Sequence, residues 1–165
     1  MFSDSYVEQA FRAKPAGDYY AKLFLSVLLA VAGCGTVFFS VLIGFALFLA
    51  GICLFFYFMG NRNMEYEYIL TNGSVEIAAI YNASKRKELM SFELEQVTMI
   101  VPKDSQRIAT ESFSKKRDYT SRTGDGKVIS FVLERNGSKE LVMMEPDEKI
   151  LAHIKTYARN KMHDI

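Results

Sequence analysis

The side chains best suited to chemistry are few and are not spaced to act together. His153 and His163 lie ten residues apart, on or just beyond one expected helix, and lack the four-residue spacing that sets two metal ligands on one helical face. Each therefore reads as a solvated imidazole. Glu65 and Glu67 share one face of an expected strand. Two carboxylates divide acid and base roles only inside a cleft that drives their pKa values apart, and on a solvated face they are surface charge. Gly124-Asp125-Gly126 reads as a turn, since no helix N-terminus follows to hold a phosphate. The sequence contains no nucleophile elbow, Walker loop, dinucleotide-binding glycine pattern or closely paired cysteines. The expectation is a protein with no catalytic residue, no metal ligand and no cofactor.

Two basic clusters are the remaining candidates. Lys85-Arg86-Lys87 falls in an expected turn, and Lys115-Lys116-Arg117 leads into an expected strand. A cation held near an anionic leaflet is worth about 1 kcal/mol, so Lys85, Arg86, Lys87, Lys115, Lys116 and Arg117 are candidate contacts for a membrane surface or a partner. Glu88 and Asp118 stand ready to neutralise them. From Asn61 onward 17 Lys plus Arg face 16 Asp plus Glu, a balance of +1, which gives no electrostatic case for nucleic acid.

The elements that must carry these residues begin with an apolar run. From Leu23 to Gly60 there is no charged residue over 38 positions. One bilayer span needs about 20 apolar residues, so the run suits two helices folded back on each other, near 20–38 and 42–60, with the turn near Ser40. A signal peptide's apolar core of about 7–15 residues is much shorter, and a soluble helix this uniformly apolar would lack a polar face. Cys34 and Cys53 both fall inside the run and read as buried reduced thiols. Arg12, Lys14 and Lys22 precede the helices and Arg62 follows them, while the turn is uncharged. The positive-inside rule then places both termini in the cytoplasm, with the plasma membrane as the location. Tyr19, Tyr20, Phe56 and Tyr57 suit the same interface. Residues 1–19 form a cytoplasmic leader. Within it Ser5 and Glu8 match a capping box, and Phe2, Tyr6, Val7, Ala10 and Phe11 fit a short amphipathic helix on the leaflet, ended by Pro15 and Gly17.

A domain over residues 61–165 follows, its strands starting near Asn63. Asn72-Gly73 is a type I′ turn signal, and pairing Leu70 with Val75, Tyr68 with Ile77 and Tyr66 with Ala79 puts the apolar groups on one face and Glu65, Glu67 and Glu76 on the other. Strands are expected at Glu88 to Phe92, Val97 to Val101, Lys116 to Arg122 and Val128 to Glu134. A second Asn-Gly turn at Asn136 sets Glu134 opposite Lys139 and Phe131 opposite Val142, on a seventh strand ending near Met144. Pro146 suits the first position of a closing helix whose stripe is Ile150, Leu151, Ile154, Tyr157, Ala158 and Met162.

Seven strands and a closing amphipathic helix resemble the pleckstrin-homology-like barrel. The segment EYEYILTNGSVEI, directly after an apolar helical hairpin, is similar to a family of small bacterial membrane proteins of uncharacterised activity with two spans and a cytoplasmic pleckstrin-homology-like (PH-like) domain. The resemblance implies an α+β membrane protein: a two-helix transmembrane hairpin, then a seven-stranded PH-like β-barrel closed by a C-terminal α-helix. Lipid-binding members of the fold use basic residues at the first hairpin loop. Here Asn72-Gly73 reads as that first loop and is minimal and uncharged, while strand edges and the groove beside the closing helix remain for peptides. The leading expectation is a membrane-anchored, non-enzymatic binding or adaptor module facing a protein partner or anionic lipid. Its rivals are an accessory subunit of a larger membrane complex, motivated by Gly33, Gly35 and Gly44 as helix-contact residues, and a membrane-tethered enzyme whose site is built from residues read here as surface.

Overall fold

The computed structural model describes residues 5–15, 17–60 and 64–165. Phe2 of the leader, Arg62 of the charge flank and Asn63 at the expected domain start lie outside the described residues. The chain forms two compact units, one of residues 14–64 and one that joins residues up to 13 with residues 65–165.

The first unit is a helical hairpin of α1 (Tyr19–Thr36) and α2 (Val41–Gly60), both long and apolar enough to cross a membrane. The chain reverses where the amides of Phe39 and Ser40 bond back to the Thr36 carbonyl at 3.0 and 2.9 Å. Glycines set the packing. A Cβ at Gly33 would lie 2.5 Å from the Phe48 nitrogen, one at Gly51 2.5 Å from the Ala30 nitrogen, and one at Gly44 2.6 Å from the Val37 nitrogen. Backbone thus meets backbone at these points, as small residues allow in an apolar solvent. Gly33 and Gly44 are filled by the hairpin's own partner helix, whereas Gly35 has nothing within 4 Å.

The second unit has eight strands: β1 (Tyr6–Ala13), β2 (Met64–Thr71), β3 (Ser74–Tyr81), β4 (Lys85–Glu93), β5 (Val97–Pro102), β6 (Lys115–Asp118), β7 (Ile129–Arg135) and β8 (Ser138–Met144). They form two four-stranded sheets, β1-β2-β3-β4 and β5-β7-β8-β6, in place of the expected closed seven-stranded barrel. The eighth strand is the N-terminal segment, where an amphipathic helix is expected. Its residues fit both periods, but Val7, Gln9 and Phe11 turn inward by twos, and the Phe11 ring meets Tyr66 and Tyr68 at 6.1 and 5.1 Å. A helix of two turns is marginal in water, whereas a strand here gains the ladder of β2. Ser5 meets Asn72 and Arg12 meets Glu65, so β1 and β2 run antiparallel. The hairpin at Met64–Tyr81 is therefore the second and third strands of the sheet, and the connection between its first two strands is the helical unit.

The local turn signals behave as read. Asn72, Gly73, Asn136 and Gly137 all adopt positive φ, from 49° to 93°, and Phe131 faces Val142 while Glu134 faces Lys139. Tyr68, Leu70, Val75 and Ile77 are fully buried, and Glu65, Glu67 and Glu76 lie on the other face. The expected strand at Lys116 to Arg122 is shorter and sits elsewhere: β6 runs parallel to β8 at the sheet edge. The connection between these parallel neighbours runs through the intervening strand β7, while the segment from β5 through α3 (Gln106–Ala109) carries the chain from one edge of the sheet to the other.

The closing helix α4 (Glu148–Ala158) starts later than expected. Asp147 is its cap, accepting from the Ile150 amide at 2.8 Å, so Pro146 precedes the cap. Ile150, Ile154 and Ala158 are buried beneath it, Tyr157 is 43% exposed, and Met162 lies beyond the helix. The core sits between the two sheets and α4, with the Phe92 and Phe131 rings meeting across it at 6.0 Å.

Two stability measurements check this architecture in detergent micelles. Gly51→Val forces backbone apart and should cost about 1–3 kcal/mol in resistance to unfolding by dodecyl sulfate, with Gly35→Val near neutral. Phe11→Ala should lower the melting temperature of the β-sheet signal, at a cost of roughly 1–3 kcal/mol, less than a fully buried phenylalanine gives. A leader helix on the leaflet would leave that signal unmoved.

Candidate functional site

The six basic candidates do not form one surface. Lys85, Arg86 and Lys87 lie in β4 rather than in the turn, which is made by Asn82, Ala83 and Ser84. Arg86 is held between Glu67 and Glu76 at 2.6 Å each, and those carboxylates push its guanidinium pKa up. It serves the outer face of the first sheet, as does the Arg12–Glu65 pair at 3.1 Å. Lys115 and Arg117 flank the nearly buried Glu140 at 3.8 and 3.6 Å, and Lys116 lies over the Phe113 ring at 5.8 Å. Strand pairing explains this outcome. β4 beside β3 brings Arg86 across from the acidic row, and β6 beside β8 brings Arg117 over Glu140. Of the six, Lys85 and Lys87 carry neither an ion pair nor an aromatic contact.

A buried polar network joins β1, β2 and the loop after β6. The Tyr68 phenol donates to the Tyr119 carbonyl at 2.5 Å and accepts from the Glu145 amide at 3.2 Å, and burial raises its pKa well above the ordinary 10.0. Tyr66 is also raised by burial and accepts from Arg122 Nη2 at 3.1 Å. Glu145 Oε2 accepts from the Ser121 amide at 2.9 Å, and its carboxyl occupies the space a side chain would need at Gly126. Gln9 closes the corner, donating to the Glu145 carbonyl at 3.1 Å and accepting from the Asp147 amide at 2.8 Å. Each of these groups already has a partner, so the network fastens strands together and offers no free nucleophile or base.

The second junction contains His153. It is 6% exposed, against the expected solvated imidazole, because it sits on the inward face of α4 one position from Ile154. Its Nδ1 lies 3.0 Å from Ser5 Oγ, its ring lies 4.9 Å from that of Tyr157, and its Nε2 is buried without a hydrogen-bond partner. Ser5 in turn accepts from the Asn72 amide at 3.2 Å and donates its own amide to Asn72 Oδ1 at 3.0 Å, while Tyr157 packs on Gly73. Burial lowers the His153 pKa below 6.5. Sequence reasoning missed this residue because a single histidine adjacent to an apolar stripe carries no signal of burial.

The open surface of the unit lies around the last residues of the sequence. A cleft of 710 Å³ is lined by Lys155, Thr156, Arg159, Met162 and Ile165, and one of 420 Å³ by Pro102, Asp104, Ser105, Gln106, Arg107 and Asp164. Lys155 and Arg159 have no ion-pair partner among the described residues. The surface therefore combines open clefts with cations that carry no counter-charge among the described residues. Among the described residues no group of three or more His, Cys, Asp or Glu converges as a metal would require. A signal for the clefts exists in the sequence only as Lys155 and Arg159 at i and i+4 on the polar side of α4.

A family model described as Bacterial PH-like domain (DUF6106) matches residues 3–164. No curated protein and no solved structure matches the chain.

The junction at His153 makes a pH dependence. Its folded pKa lies below its unfolded value, so the stability it allows is complete above about pH 6.5 and is lost as pH falls through the folded value. Thermal melts from pH 8 to pH 5 should therefore show a steeper acid loss for the native chain than for His153→Gln. Parallel curves would place the imidazole in solvent.

Proposed function

The chain belongs to the family of bacterial PH-like domains, and we propose that it is a membrane-anchored, non-enzymatic binding module. In this reading α1 and α2 cross the plasma membrane and both termini lie in the cytoplasm, where the PH-like unit meets a partner. The observation that carries it is topological. The helical hairpin is inserted between β1 and β2, neighbouring strands of one sheet, so the unit is tied to the hairpin at two points through residues 14–18 and 61–63. A domain tethered twice by connections this short stays near the headgroups. Lys14 before α1 and Lys22 in its first turn, with Arg12 near the end of β1, supply the positive flank that the cytoplasmic side favours.

The ligand in this reading is a protein segment before it is a lipid. Arg86, Lys115 and Arg117 are engaged with Glu67, Glu76 and Glu140 and Lys116 lies over Phe113, which leaves Lys85 and Lys87, of the six, without an ion pair or aromatic contact among the described residues and able to meet anionic lipid. Two exposed lysines would add only about 2 kcal/mol of attraction at best, and they would steer the unit rather than recognise a headgroup. The clefts at Lys155 and Arg159 have more room and unspent charge.

Cysteine labelling in cells tests the placement. In a chain with Cys34→Ser and Cys53→Ser, a membrane-impermeant maleimide should reach Ser40→Cys from outside intact cells, and Ser84→Cys only after permeabilisation. The reverse pattern would sink the orientation, and labelling of both sites in intact cells would sink the two-span reading.

A further inference from the structure

The last four residues occupy a place that a partner strand could take. In the sheet β5-β7-β8-β6, β5 is an edge. Met162 makes an isolated parallel bridge to Ile100, and the His163 amide donates to the Ile100 carbonyl at 2.9 Å. Asp164 Oδ2 lies 3.7 Å from Arg107 Nε, an exposed and loose pair. Upstream, Lys161 Nζ is fixed firmly to the carbonyls of Leu94 and Glu95 at 2.9 and 2.8 Å. The segment after Lys161 is thus held by one backbone bridge and one solvent-exposed ion pair, both weak contacts.

This segment is also the wall between the two clefts. Met162 and Ile165 line the cleft that contains Lys155, Thr156 and Arg159, and Asp164 lines the one that contains Arg107. With residues 162–165 lifted away, the clefts and the outward backbone of β5 would become one groove. Lys155, Arg159 and Arg107 would face it against the single carboxylate of Asp104. Pro102 has no amide hydrogen to donate, so added pairing is limited to the stretch ending at Ile100. Recognition of a ligand would then come mostly from side chains.

We infer that residues Met162–Ile165 act as an internal ligand of this groove, holding the place of an acidic, extended segment of a partner protein that pairs parallel to β5. The inference rests on the reading of the PH-like unit as a binding module, and it assigns that module a ligand class and a regulation. The partner segment carries an apolar residue where Met162 sits and an acidic one where Asp164 meets Arg107. Further acidic groups reach Lys155 and Arg159, which the chain's own segment leaves unpaired. An intramolecular segment competes at high effective concentration, so the groove stays closed to weak ligands and opens to a segment that satisfies all three cations.

The test uses the chain in detergent micelles, truncated after Lys161, with a fluorescein-labelled peptide of sequence RNKMHDI as probe. The truncated chain should bind this peptide at least ten-fold more tightly than the full chain does. It should also prefer it at least five-fold over RNKMHKI, and Arg107→Glu should erase that preference. In the untruncated chain, Asp164→Lys should raise peptide binding several-fold without changing the circular dichroism spectrum. Equal binding by the truncated and full chains, indifference to the lysine peptide, or no gain in Asp164→Lys would overturn the inference. Those failures leave the cysteine-labelling pattern untouched, so they are distinguishable from failure of the membrane-anchored reading.

Discussion

The structure depends on β1 pairing with β2 across the whole helical hairpin. Every other feature of the first sheet follows from that ladder: Phe11 against Tyr66 and Tyr68, Arg12 beside Glu65, and Ser5 within reach of Asn72. Closing a flexible loop of roughly fifty residues in place of one of roughly six costs only about 2 kcal/mol, and this insertion is not flexible. Helices of 18 and 20 residues rise about 27 and 30 Å at 1.5 Å per residue, so an antiparallel pair returns the chain close to where it left. The glycines at 33, 44 and 51 secure that return by letting the helices touch along their backbones. Packing of the two apolar helices thus makes a strand pairing possible between segments about fifty residues apart.

Charge in the globular unit is organised by strand order rather than by clusters in the chain. Glu65, Glu67 and Glu76 form a row on the outer face of the first sheet, and like charges so close would repel. Arg12 from β1 and Arg86 from β4 close the row from its two sides. Glu140 on β8 is held in the same way by Lys115 and Arg117 of the parallel strand β6. A buried carboxylate needs such compensation, so β6 is more than an edge cover. Within basic triplets that look like free surface in one dimension, Arg86, Lys115 and Arg117 are, in three, the counter-charges of acidic strands beside them.

Features set by neighbours in sequence were legible, and features set by distant contacts were not. Asn72-Gly73 and Asn136-Gly137 fix their turns through local backbone preference, so the faces of β2 and β3 and the register of β7 with β8 could be read directly. The two apolar helices were legible for the same reason, composition over a window. The segment from Tyr6 to Ala13 misled because its alternation and its helical face are equally good, and only the exposed edge of β2 decides between them. β6 is shorter than the expected strand, and its pairing with β8 was not legible because parallel pairing leaves no turn signal. His153 and Gln9 are parts of the packing whose partners lie more than one hundred positions away, and Glu145 meets Ser121, Tyr68 and Gln9 from three separate parts of the chain. The six basic residues were visible as charge, but the pairing of Arg86, Lys115 and Arg117 with Glu67, Glu76 and Glu140 was not, since it depends on which strand lies beside which.

The strand that leads into the hairpin also holds the closing helix. Gln9 bonds the amide of Asp147, the residue that caps α4, and Ser5 bonds His153 one turn and a half into that helix. These contacts come from Ser5, just before β1, and from Gln9, midway along it. A displacement of α4 large enough to change its outer cleft would strain one or both of them, and β1 would have to follow or let go. Since β1 continues directly toward α1, the pairing that anchors the domain and the packing that shapes its open surface share one short element. Such a shared element is the physical requirement for coupling between two regions. Its weak point is His153, where proton uptake would put a charge into a buried junction in which Nε2 has no hydrogen-bond partner.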